Sequence, residues 1–115
     1  LDDFVEYSKS MFEYWTEDDF ASSFRKMLTI EQFRSEEMQN LYQQYLVAGP
    51  ASYVKDLFES MGMIDAKEKA DRFYAVMYFY YSIYDGTDDK SKVKEEFVSA
   101  VNSMVQELKE RKFIS

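Results

Sequence analysis

If this chain does chemistry, it does it with tyrosine, lysine and carboxylate side chains. Its 115 residues include no histidine and no cysteine. That removes the commonest general base, the commonest metal ligand and the thiolate nucleophile. Disulfides and thiolate metal sites are excluded with them, and an intracellular, cytoplasmic protein is the plain reading. A helical di-iron site needs Glu-x-x-His pairs, which cannot be made here. Three glycines, at 49, 62 and 86, cannot build a phosphate-cradling loop. The carboxylate pairs Asp18-Asp19 and Glu95-Glu96 read as helix-end charges and solvated faces. No spacing gathers tyrosine, lysine and carboxylates into one place. The expectation is therefore no enzyme, no metal and no cofactor.

Rings and thioethers are what the chain has in excess. Ten tyrosines, ten phenylalanines, seven methionines and one tryptophan sit in 115 residues. Phe12, Trp15, Phe24, Met27, Tyr42, Tyr45, Phe73, Met77, Tyr80 and Tyr81 fall at helical spacings. Two readings stand side by side. Each buried ring or thioether stabilises a fold by about 1.5–3 kcal/mol, so a small domain uses them as core. Alternatively some of them line a cavity between helices, with phenol hydroxyls as its polar handles.

The elements that would position these residues are helices. Gly (3) and Pro (1) are scarce, and the length suits a single domain over residues 1–115. Apolar side chains at 1, 4, 5, 11, 12 and 15 make one helical face up to Trp15. Thr16 reads as the cap of a second helix carrying Phe20, Phe24, Met27 and Leu28 on one face. Arg25 and Arg34 read first as charges at helix C-termini, with contact to a ligand as the weaker alternative. Thr29 to Gln32 has capping-box spacing and predicts a short third helix. Ser35 predicts the next cap. The apolar row from Met38 to Met61 keeps its phase across Gly49-Pro50. That predicts a long helix over 36–61 kinked there, or two helices nearly in line. Gly62 is a natural stop. Asp65 and Glu68 form another capping box, opening a helix over 66–84. A last helix runs from Asp89 to Lys112, with Phe97, Val101, Met104 and Leu108 at the steps of a helix-pairing seam.

The segment Phe73–Tyr84 is broken only by Ser82 if tyrosine counts as apolar. A helix apolar all round is enclosed by its own chain, or shared between its own chain and a partner. Twelve residues are too few to cross a bilayer, so no membrane contact is expected. The net charge of −8 makes the body a poor surface for nucleic-acid backbones.

The stretch Phe24-Arg25-Lys26-Met27-Leu28-Thr29-Ile30-Glu31-Gln32-Phe33-Arg34 resembles a segment common in the effector domains of TetR/AcrR-type transcriptional regulators. Leu41-Tyr42, Gly49-Pro50, Tyr53 and Leu57-Phe58 fall where that pattern continues. Ala70, Phe73-Tyr74-Ala75 and the run ending in Tyr84-Asp85-Gly86 resemble its penultimate helix. The resemblance covers about residues 20 to 86. The family's basic helix-turn-helix has no counterpart here, so DNA would be reached only through an absent N-terminal domain. What the resemblance implies is an all-α antiparallel bundle of about five to six helices that senses a ligand and dimerises. The last two helices would form a four-helix bundle with those of a second copy, through Tyr78, Ile83, Phe97, Val101, Met104 and Leu108. That interface would bury on the order of 1,200–2,000 Å². A small apolar or aromatic effector would touch Phe12, Trp15, Phe24, Met27, Tyr42, Tyr45, Met77 and Tyr81. The alternative is a helical dimerisation or protein-interaction module with no small-molecule site.

Overall fold

A computed structural model describes residues 2–110; the expectations that fall on Leu1 and on the helix end at Lys112 lie outside them. Six α-helices and no strand are found among the described residues: α1 (Asp2–Glu17), α2 (Asp19–Glu31), α3 (Glu36–Leu46), α4 (Ala48–Ser60), α5 (Ala66–Asp85) and α6 (Lys90–Glu110). The all-α bundle read from the sequence is the fold observed. No helix among the described residues is long and apolar enough to cross a membrane.

The local boundaries follow from where short polar side chains spend their hydrogen bonds. Asp18, not Thr16, caps α2, accepting from the Ala21 N–H at 2.8 Å. Thr16 instead donates back to the Phe12 carbonyl at 2.6 Å, inside the last turns of α1. Thr29 does the same to the Arg25 carbonyl at 2.8 Å, so α2 runs through it and the expected third short helix does not form. A hydroxyl can bond forward as a cap or backward along the helix, and spacing alone does not choose. Ser35 caps α3 as expected, accepting from Met38. The chain breaks at Val47 (φ −130°, ψ −84°), and Pro50 is the third residue of α4. Its missing N–H would have no intrahelical partner there, so it opens α4 rather than bending a continuous helix. Gly49 belongs to the same break, because a Cβ there would lie 1.8 Å from the Gln44 carbonyl oxygen. Gly62 ends the hairpin from α4 at a φ of 78°. Asp65 precedes α5 in the left-handed region (φ 55°) with no side-chain cap bond, so its capping box does not close.

Helix α5 is the centre of the bundle, packed against α1, α4 and α6. Phe73, Tyr74, Met77, Tyr81 and Tyr84 are buried, while Phe79 and Ile83 are exposed. The chain itself therefore encloses one side of the aromatic run and leaves the other open. The Cα positions span only 44 × 34 × 17 Å. A thickness of 17 Å holds about two helix layers at 8–10 Å spacing, too few to surround a central helix. Phe4, Phe12, Phe58, Phe73 and Phe97 form the main core. A smaller cluster of Leu28, Tyr42 and Leu46 joins α2 to α3. Lys94 ties α6 to α1 through Glu13 at 2.6 Å and Glu17 at 3.1 Å.

Candidate functional site

Three helices bring rings to one place at regular steps. Tyr7, Met11 and Trp15 form an i, i+4, i+8 row on α1. Tyr74, Met77 and Tyr81 form the facing row on α5. Tyr45 at the end of α3 and Tyr53 on α4 complete the wall, with Gly49 and Pro50 between them. These residues surround a cavity of about 400 Å³. It exists because the break at Val47 ends α3 where Tyr45 is still half-turned outward, so the α3–α4 side does not fill the space.

The phenols set its polarity. The Tyr7 ring lies 5.9 Å from that of Tyr53. Burial first, and then the Tyr53 phenol, push the Tyr7 hydroxyl up to about 12. Tyr74 donates to the Leu46 carbonyl. Burial raises Tyr74, and the neighbouring Tyr78 and Tyr42 add to this. Tyr81 is raised well above the usual phenol value, first by burial. No side chain with a full charge lines the cavity.

Arg25 holds two parts of this wall from behind. It is 5% exposed and makes a bidentate pair with Asp85, at 2.9 and 2.7 Å. Its Nε donates to the Trp15 carbonyl at 3.0 Å, one of the last carbonyls of α1. The guanidinium carbon lies 5.1 Å from the centre of the Tyr81 ring. One cation thus satisfies a helix end, neutralises a carboxylate at the C-terminus of α5 and braces a ring of the cavity. The sequence reading gave Arg25 a helix-end role, with ligand contact as a weaker alternative; it is instead committed to Asp85 and the Trp15 carbonyl.

Four of the expected ligand residues, Trp15, Tyr45, Met77 and Tyr81, are brought together on the cavity. Four are not. Phe12 is fully buried between Tyr81 and Phe97, stacked at 5.5 and 4.4 Å, and is core. Phe24 packs edge-on against Tyr45 at 5.4 Å, behind the wall. Met27 is 40% exposed on the outside of α2. Both are displaced because α2 turns Ala21, Arg25 and Leu28 inward, one residue off the expected face of Phe20, Phe24, Met27 and Leu28. Phe20 is consequently exposed. Tyr42 lines a separate open groove between α3–α4 and α5, where its hydroxyl meets that of Tyr78. The sequence reading missed Tyr7, Met11, Tyr53 and Tyr74. The row ending at Trp15 was the available signal for the first two.

The expected partner-facing residues divide as well. Ile83 lies on the open face of α5, beside Phe79, which the sequence reading did not single out. Met104 and Leu108 are half-buried against the core. Phe97 and Val101 are enclosed, at 0% and 1% exposure, and a side chain with no free surface has none to give a partner. Tyr78 is turned toward Tyr42 on α3.

Among the described residues, no cluster of three or more acidic side chains could hold a metal ion. No protein-family model, curated protein or solved structure matches the chain. The TetR/AcrR resemblance rests on the residue pattern alone.

Proposed function

We propose that this chain is the effector-binding and dimerisation domain of a TetR/AcrR-type transcriptional regulator, acting on DNA through an N-terminal domain outside the sequence, and that it is not an enzyme. The observation that carries the reading is the ring-lined cavity between α1, α3, α4 and α5, within the size range of small-molecule sites. The effector is a small uncharged or aromatic molecule held by Trp15, Tyr45, Met77 and Tyr81. Phe79 and Ile83 on α5, with Met104 on α6, are the surface a second copy covers. Phe79 and Ile83 stay exposed in the single chain.

The mechanism is a shift between two states. Ligand in the cavity presses on Trp15 at the end of α1, and α1 with α2 carries the displacement toward the DNA-binding domain. The ligand must bind one state better than the other, and DNA weakens or strengthens the ligand by the same factor. A thermal-shift screen of small aromatic compounds tests the site. Hits are expected to lose at least tenfold in affinity on Trp15→Ala, roughly the loss of one buried ring contact. A hit unaffected by that change places the site elsewhere. Light scattering at micromolar concentration is expected to show a dimer that Phe79→Glu dissociates, and a wild-type monomer removes the dimer part of the proposal.

A further inference from the structure

Tyr81 is 4% exposed, and its phenol has no hydrogen-bond partner among the described residues. Yet no fully enclosed side-chain nitrogen or oxygen among the described residues lacks a partner. The hydroxyl therefore opens onto the cavity that Tyr81 lines. A buried phenol wants a partner, and here only something inside the cavity can supply one.

We propose that Tyr81 donates a hydrogen bond to the carbonyl oxygen of an uncharged, planar aromatic ligand, of the aryl ketone or quinone class. The proposal rests on the ligand-sensing reading of the same cavity and names the chemistry of the ligand. Three observations fix that chemistry. The walls are mostly rings and thioethers, with the Gln44 amide among them, which suits a flat uncharged body, and a volume of about 400 Å³ takes about two or three fused rings. Among the described residues no Asp, Glu, Lys or Arg lines the space, so an ion would find no counter-charge there for the water it gives up. The one buried cation nearby, Arg25, is committed to Asp85 and to the Trp15 carbonyl. Arg25 also decides the direction of the bond. Its guanidinium lies over the Tyr81 ring at 5.1 Å, occupying the π-face a cationic ligand would use and drawing charge from the ring. The phenol is left a better donor than acceptor, which selects a carbonyl over a hydroxyl or amine on the ligand. Tyr74, by contrast, already donates to Leu46.

Trp15 is the sole tryptophan and stands in the cavity wall, so its fluorescence reads occupancy directly. The probes are fluorenone, fluorene, which has the same shape without the carbonyl, and the carboxylate derivative of fluorenone. Fluorenone is expected to quench Trp15 with up to roughly tenfold higher affinity than fluorene, the effect of one hydrogen bond. Tyr81→Phe is expected to bring fluorenone down to the affinity of fluorene and leave fluorene unchanged. Equal binding of the two by the wild-type chain overturns the proposal without any variant. So does a ketone preference that survives Tyr81→Phe, or a carboxylate that binds as tightly as the ketone. In those cases the cavity still binds ligands and the broader reading stands. If none of the three quenches Trp15 or raises the melting temperature, the cavity reading fails as well.

Discussion

On one side of α5, Phe12 and Phe97 stack 4.4 Å apart, with Tyr84 and Tyr80 edge-on around them at 5.7 and 5.9 Å. On the other, Trp15, Tyr45, Tyr53 and Met77 stand around open volume. The residue types are the same and so is their helical spacing. The backbone opposite makes the difference. Helix α6 runs unbroken for 21 residues and seats Val93, Phe97, Val101 and Val105 in register against α1 and α5. The α3–α4 segment breaks at Val47, and its rings stop short of the middle. Ring content alone therefore does not separate a core from a cavity. Continuity of the facing helix does.

The largest expected effect tests that contrast directly. Phe97→Ala is expected to destabilise the fold by about 3–5 kcal/mol, since it leaves a hole in the closed stack. Tyr53→Ala, at a ring already 55% exposed, is expected to cost under about 1.5 kcal/mol. Chemical denaturation of the two variants gives the comparison, and similar losses would erase the distinction between the two sides.

The next effect concerns the tie behind the cavity. Asp85→Ala leaves the buried Arg25 without its carboxylate and is expected to cost about 3 kcal/mol. Arg25→Met leaves only Asp85, whose side chain is 30% exposed and can take up water, and is expected to cost less. The order of the two losses is the measurement. If Arg25→Met costs more, packing of the arginine stem outweighs the charge.

Alkali probes the same contrast through the phenols. In the unfolded chain phenols titrate near 10. In the fold, Tyr7 and Tyr78 are pushed up to about 12, and Tyr74 and Tyr81 are raised too, in every case first by burial. The folded state then holds protons that the unfolded state has lost, so stability is full below about pH 10 and falls as pH rises through 12. The buried Tyr74 and Tyr81 each contribute at most about 1.4 kcal/mol per pH unit to the slope, and the half-buried Tyr7 and Tyr78 less, because water screens them. All four sit on the α3–α4 side of α5 or in the cavity wall. The near-ultraviolet signal is expected to be lost before α6 melts, and simultaneous loss would show the two sides to be one cooperative unit.

The helices were legible because their apolar rows are long, and Ser35 and Gly62 mark ends that admit one reading. The face of α2 was not legible. Arg25 looks like a helix-end charge until its partner at position 85 is known, and no local pattern carries that information. Half of the site was legible for a related reason. Trp15, Met77 and Tyr81 lie in rows that face inward whatever the packing, and Tyr45 reaches the cavity although it is half-turned outward. Phe12 lies in such a row too, but only the seating of Phe97 turns it from lining into core. Phe97 and Val101 follow a pairing seam that α6 uses within its own chain, and a seam does not say which helix it pairs with.

The Arg25–Asp85 pair spans 60 residues, and this has a consequence for the order in which the protein can be made. On a ribosome adding roughly 5–20 residues per second, Asp85 is joined to the chain about 3–12 s after Arg25. During that interval α2 can coil, but its inward face carries a guanidinium that no early segment neutralises. Docking of α2 onto α1 before α5 has reached its last residue would bury that charge with the Trp15 carbonyl but without its carboxylate, so the full packing of α1 and α2 is stabilised only once Asp85 arrives.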